Sequence, residues 1–329
     1  MTAARRLWSG MAPAFIAAIA LVAALSLVAP RASAGAPPAI GRGSQEKIAF
    51  WDFMSGQIYT VNADGSGLRQ LTHVTGGVQA MDPDFSPNGK LIAFAVGNPT
   101  HPWRIWVMHS DGSHQHQLAT DTKGFRDSTP VYTPNGRAVV FSRCLPGDGV
   151  CAIWKMRADG TNKHALTPYV PSGIHERVDF SPAVSPNGKW IAFTRFQSNG
   201  IQAQIWRMNA DGSKPHAITA PRLEAGTPAW SPDGRWLAFN SNQVRTGSHI
   251  FAIRPNGTSL GALTPSRFPH NDVGPSYSPD GKQIAFSSDR RFPDGCCLDL
   301  FEMRADGSRK HKVNLNLHHA GILDPVWQP

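Results

Sequence analysis

The chain has 329 residues, enough for two ordinary domains or for one large barrel or propeller. With 41% hydrophobic and 17% charged residues and a formal charge of +9, it is neither disordered nor fibrous, and its 31 Gly and 27 Pro demand many turns and exclude long helices. Nineteen Asp stand against four Glu, and because Asp favours turns where Glu favours helices, the composition points to an all-β protein.

Residues 1–34 have the layout of a secretory signal peptide: Arg5 and Arg6, an apolar run over 14–29, then Ala32-Ser33-Ala34 before Gly35. That run is shorter than the roughly 20 residues of a membrane span. Cleavage after Ala34 is therefore expected, leaving an exported chain, periplasmic or extracellular, with no stable span. It would remove three arginines and no acid, so the remaining positive excess is mild. Nucleic-acid binding needs basic residues gathered on one face, whereas Lys163, Lys214, Arg309 and Lys310 sit beside turns as solvated loop edges. Nucleic acid is not an expected partner.

After a short linker over 35–45, a repeat begins. Asp82-Pro-Asp-Phe-Ser-Pro-Asn-Gly89 is echoed at 129–136, 181–188, 227–234 and 274–281, and a truncated copy over 324–329 closes the sequence. The spacing of some 46–52 residues suits a four-stranded sheet with its loops. A second landmark alternates with the first at Asp64-Gly65, Asp111-Gly112, Asp159-Gly160, Asp211-Gly212, Asn256-Gly257 and Asp306-Gly307. Such pairs between alternating apolar residues predict type I′ hairpins, in which both central residues take φ > 0.

Each repeat then reads as four strands, for example 228–231, 236–241, 249–254 and 260–264. Six blades fill residues 46–329. The first lacks an inner strand of its own, and 323–328 can supply it, closing the ring and removing two exposed sheet edges. Phe50, Phe94, Phe141, Phe193, Phe239 and Phe286, with Phe85, Tyr132, Val184, Trp230, Tyr277 and Trp327, form stripes that recur in every blade, and so are core residues rather than a site. His116, His164, His216 and His311 recur in the same way, as outer-strand features.

The segment Pro228-Ala-Trp-Ser-Pro-Asp-Gly-Arg-Trp-Leu-Ala-Phe239, with its other copies, resembles the TolB-type β-propeller repeat, a relative of the WD-type blade. The resemblance implies a six-bladed all-β propeller with circular closure and an extracytoplasmic setting. It also implies recognition of envelope proteins; TolB proteins carry a separate α/β domain before their propeller. With 35–45 alone between signal and first blade, a stand-alone propeller is expected here.

The short, stereotyped turns share one face, and the variable loops share the other, where function on a repeat scaffold usually sits. Asp82, Asp127, Asp179, Glu224, Asp272 and Asp324 each precede or open an inner strand. Six carboxylates around one channel mouth call for a cation, such as calcium, or for a basic peptide segment. The structural alternative is that each acid caps its own loop. His175, His270 and His318 belong to the same face, beside His73 and His319, but show no compact metal-ligand motif. No Gly-x-Ser-x-Gly elbow and no phosphate-binding glycine loop occurs.

The primary expectation is thus a non-catalytic binding propeller that recognises a protein or cell-envelope component. The alternative is a metal-dependent glycan lyase or hydrolase using His and Asp at the channel mouth. Cys144 and Cys151 flank one hairpin and are expected to form a disulfide, while the adjacent Cys296 and Cys297 occupy the corresponding hairpin of the last blade.

Overall fold

A computed structural model of the chain describes residues 46–118, 124–146, 149–169, 177–197, 202–244, 247–265, 270–292, 297–315, 317 and 321–329. The described residues form six four-stranded antiparallel sheets. The inner strands are Ile322–Trp327, Gln79–Phe85, Arg126–Tyr132, Arg177–Val184, Ala225–Trp230 and Asp272–Tyr277, one for each of the first to sixth blades. The inner strand of the first blade is C-terminal: Ile48 pairs with Trp327 and Asp52 with Ile322. The ring is therefore a six-bladed propeller closed by its last strand.

The blades are held together by one alternation. Phe50, Phe94, Phe141, Phe193, Phe239 and Phe286 occupy the same position of each second strand, and all are almost wholly buried. Successive side chains of a strand point to opposite faces. The residue before each Phe, which is Ala in five blades and Val140 in the third, therefore faces the neighbouring sheet. Phe94 packs on Ala49 and Ile58 of the preceding blade, Phe239 on Ala192 and Ile205, and Phe50 on Ala285 and Leu300 of the sixth. A large residue on one face thus meets a small one on the next, and the core is six inter-blade layers rather than one centre. Trp230 and Trp327 add a polar stitch each, their Nε1 donating to Ala183 O and Ser276 O of the blade before at 3.1 Å.

The turns depart from the expected geometry. Their glycines are left-handed (Gly65 φ 85°, Gly89 φ 65°), but Asp64, Asn88 and their counterparts are not. Gly65 N–H donates to Asn62 O while Asn62 N–H donates to Ser66 O, the pattern of a type I turn followed by a left-handed glycine, not type I′. The cause is local. Pro87 in the Ser-Pro-Asn-Gly turns cannot take φ > 0, and in the Asp-Gly turns the carboxylate accepts from the residue two positions on, as Asp64 Oδ1 does from Ser66 N–H and Oγ–H at 2.9 and 2.6 Å.

Cys144 and Cys151 face each other across the hairpin of the third blade, Cα atoms 4.0 Å apart, and form a disulfide. Cys297 is buried, and Cys296 lies outside the described residues. No helix among the described residues is long and apolar enough to cross a membrane.

Candidate functional site

Each inner strand carries a bulge at the residue before its proline. Asp82, Thr129, Ser181, Thr227, Gly274 and Asp324 all have φ between 47° and 61°, and the pairing register slips there in every blade. Non-glycine residues pay roughly 1–2 kcal/mol for this conformation. It is held by bonds that run around the ring: Thr129 N–H donates to Asp82 Oδ2 of the neighbouring blade at 3.0 Å, Ser181 N–H to Ser142 Oγ at 3.2 Å, and Thr227 N–H to Thr194 Oγ1 at 3.1 Å. Strain repeated at this level marks the central opening.

The six predicted acids fall into three sets. Asp82 and Asp324 occupy equivalent bulges of adjacent blades and are hydrogen-bonded to each other. Enclosure by protein and, second, the facing Asp324 carboxyl push Asp82 far above the ordinary carboxylate range, and enclosure likewise raises Asp324. Two carboxyls so placed favour carrying one proton between them over ionising together. Two residues along the same strand, Asp84 accepts Tyr132 N–H at 2.8 Å and is raised to about 7 by enclosure, against the lowering effect of that bond. Asp84 was not among the residues the sequence singled out, since the other repeats carry Val, Ala or Ser there. Among the described residues no Lys or Arg ion-pairs with Asp82, Asp84 or Asp324.

Asp127, Asp179 and Asp272 form the second set, two residues ahead of the bulge in their strands and opposite Arg143, Arg195 and Ser288. Arg143 bonds both oxygens of Asp127 at 2.7 and 2.8 Å, and Arg195 both oxygens of Asp179 at 2.6 and 2.8 Å. Asp272 accepts from Ser288 Oγ at 2.6 Å and from Arg290 Nη2 at 2.7 and 2.8 Å. Each guanidinium also lies over rings of the second and third strands, Arg143 over Phe141 and Trp154, Arg195 over Phe193 and Trp206, Arg290 over Phe286 and Phe301, at 4.2–5.6 Å from the centroids. Asp127 and Asp179 are thus consumed inside their own blades, whereas Asp272 also meets His270 in the connection that enters its blade.

Glu224 stands alone, closing the 3₁₀ turn Pro221–Leu223 with a left-handed backbone (φ 45°). The predicted ring of six carboxylates is therefore a cluster of three on two adjacent inner strands, Asp82, Asp84 and Asp324.

His270 lies at the entrance to the sixth inner strand, its Nε2 3.1 Å from Asp272 Oδ2. Against the cost of burial, this bond, with Arg290 and Ser288, holds Asp272 below the ordinary range. His175, His318 and His319 lie outside the described residues. On the same face, Phe53, Met54, Val74, Val78 and Gln79 line a small pocket of about 290 Å³, with Met54 59% exposed.

The family model of the TolB beta propeller domain matches residues 173–329. The chain forms a TolB-like propeller. Among solved structures it is similar to TolB from Acinetobacter baumannii, with 19% identity over 87% of this chain and 67% of that one, at a TM-score of 0.69. Putative TolB from Agrobacterium tumefaciens shares 20% identity over 82% of this chain and 88% of its own, at a TM-score of 0.61. An oligogalacturonate lyase in complex with manganese is 13% identical over 80% of this chain and 71% of its own, at 0.52. At these identities the likeness is one of fold. No curated protein matches the chain. The TolB-like propeller thus shares the propeller architecture of the two TolB structures.

Proposed function

We propose that the protein is an exported, non-catalytic binding propeller that recognises a protein or envelope component through its variable-loop face and acidic central opening. The observation that carries this reading is the cluster of Asp82, Asp84 and Asp324, raised carboxyls with no basic partner among the described residues. Enclosure makes ionising these carboxyls costly, and a cation placed beside them would offset that cost. A Lys or Arg side chain, or an amino terminus, entering the opening would favour the ionised carboxylates and meet two or three of them at once. TolB-like propellers work in the periplasm, which agrees with the signal expected over 1–34, and a mature N-terminus at Gly35 would establish export.

The test is capture from envelope extract by immobilised protein, comparing the wild type with Asp82→Asn/Asp324→Asn and with the turn-face variant Arg235→Gln/Lys282→Gln. A partner retained by the wild type and the turn-face variant, and lost from the carboxamide variant and at high salt, supports the reading. Equal retention by all three contradicts it. Carboxylates are also the oxygen donors that calcium takes, so the same capture with and without calcium separates direct docking from a calcium-bridged contact.

A further inference from the structure

His249 and His270 come from different parts of the chain. His249 is in the third strand of the fifth blade, Gly247–Ile253, and His270 is in the connection that enters the sixth. Their rings meet edge-on with centroids 4.9 Å apart. With Asp272 they are the one group of three His, Cys, Asp or Glu among the described residues whose potential ligand atoms all lie within 4.8 Å of one another.

The approach is built into the backbone. Gly247 (φ 106°) lies so close to the connection that a Cβ there would fall 2.2 Å from His270 O, so only glycine lets the strand and the connection touch. Ser248 N–H donates to Asn271 Oδ1 at 3.1 Å, fixing the two segments to each other. Asn271 is clamped in turn by Asp289, which accepts from its backbone N–H at 2.6 Å and from Nδ2 at 2.7 Å. Ser288 and Arg290 hold the carboxylate of Asp272. His249 is 1% exposed and Asp272 wholly buried, so the donors are pre-positioned and shielded from water.

We infer that His249, His270 and Asp272 form a binding site for a divalent transition metal of the zinc class, which pins the fifth blade to the sixth at the variable-loop face. Two imidazoles and one carboxylate are the donor set such an ion takes, with bonds of about 2.0–2.1 Å and a tetrahedral arrangement that sets neighbouring donors about 3.3 Å apart. The 3.1 Å between His270 Nε2 and Asp272 Oδ2 is already that edge. The ion would replace this contact and the 2.8 Å bond from Arg290 Nη2 to the same oxygen, while Asp272 Oδ1 stays on Ser288 and Arg290 as supporting bonds do around metal carboxylates. Calcium is disfavoured, because imidazole nitrogen replaces the oxygen donors it requires. Arg290 works against the ion by its charge and tempers the affinity. The site is separate from the carboxylate cluster and does not depend on the proposed partner.

The experiment is zinc and cobalt binding to the purified full chain, by metal analysis after dialysis and by the visible absorption of the cobalt form. The expected result is one equivalent per chain, a d–d spectrum of low coordination number, and a melting temperature raised by zinc. His249→Gln and His270→Gln should each abolish the spectrum and the zinc-dependent shift, while their melting temperatures in chelator stay near that of the wild type. Arg290→Gln should bind zinc more tightly than the wild type, a change that a purely structural arginine would not produce. The inference is overturned if the wild type binds no metal, or if His249→Gln/His270→Gln binds as much as the wild type, which would place the metal on surface histidines.

Discussion

Asp179 and Arg195 show at the scale of single residues how an acid that reads as a site residue becomes part of the scaffold. Their side chains are 0% and 4% exposed and joined by two hydrogen bonds. Removing one partner of such a pair leaves a buried charge poorly compensated, here with Arg177 Nε still 3.5 Å from Asp179 Oδ2, at about 3 kcal/mol, the lower end for such pairs. Arg195→Ala should therefore lower the unfolding free energy by that amount, whereas Asp179→Leu/Arg195→Met should cost far less; equal losses in chemical denaturation would refute the internal role. The sequence held a signal for these pairs that escaped notice. In each case the acid and its cross-strand partner, Asp127 with Arg143, Asp179 with Arg195 and Asp272 with Ser288, are sixteen residues apart. The central carboxyls behave oppositely. Asp84, raised to about 7, keeps in the native chain a proton that the unfolded chain releases near pH 4, and Asp82 and Asp324 are raised likewise. Their stabilising contribution is complete below that pH and is lost as the pH climbs through their folded values. Melting temperatures from pH 4 to 8 should fall for the wild type and fall less for Asp84→Asn; an unchanged slope would remove the raised carboxyl from the account.

At the scale of the element, the blade was legible because its strand order and turns are written in each copy. What escaped was finer. The type I′ prediction weighed the Asn-Gly and Asp-Gly pairs but not the proline ahead of them or the hydrogen bond each Asp makes forward, and these decide the turn. A repeated threonine was also missed. Thr72, Thr167, Thr219 and Thr264 each lie two residues past the end of an outer strand, and their hydroxyls accept the N–H of Ile58, Ile153, Ile205 and Ile250 in the third strand at 2.8–2.9 Å. All four are at most 3% exposed, so water cannot replace the bond. Thr219→Val keeps the shape and leaves the Ile205 N–H without its hydroxyl acceptor, and should cost about 1–3 kcal/mol in urea unfolding. A neutral result would mean the outer strand relaxes to supply another acceptor. Periodicity identifies such a position only after the outer strand, two residues long in each blade, has been placed.

For the whole molecule, the closed ring makes the C-terminus a structural keystone. Trp327 is 4% exposed, packs in one cluster with Phe50 and Leu300, and so joins the first blade to the sixth. Trp327→Ala should cost about 3–5 kcal/mol, and deleting residues 322–329 should broaden or abolish the cooperative thermal transition, because both edges of the gap then open. A deletion variant that melts like the wild type would show that the remaining blades close without it. The ring and its closure could be read from six copies of one motif, whereas the binding centre could not. Asp82 and Asp324 stand immediately before the inner-strand proline and Asp127, Asp179 and Asp272 three residues before it, but the bulge that gives this difference its meaning is not visible in the sequence, and the His249 and His270 encounter joins segments of two blades.

The central claim is that the variable-loop face, and not the face of stereotyped turns, meets the partner. Met54 and Leu260 are the exposed large apolar residues of the described chain, at 59% and 43%, and they stand on these opposite faces. A photo-crosslinking residue placed at each, and irradiated in the intact envelope, compares the two faces directly. The account predicts a discrete adduct from position 54, lost when Asp82→Asn/Asp324→Asn is introduced, and none from position 260. An adduct from position 260 alone, or one from position 54 that is indifferent to the central carboxyls, would contradict it.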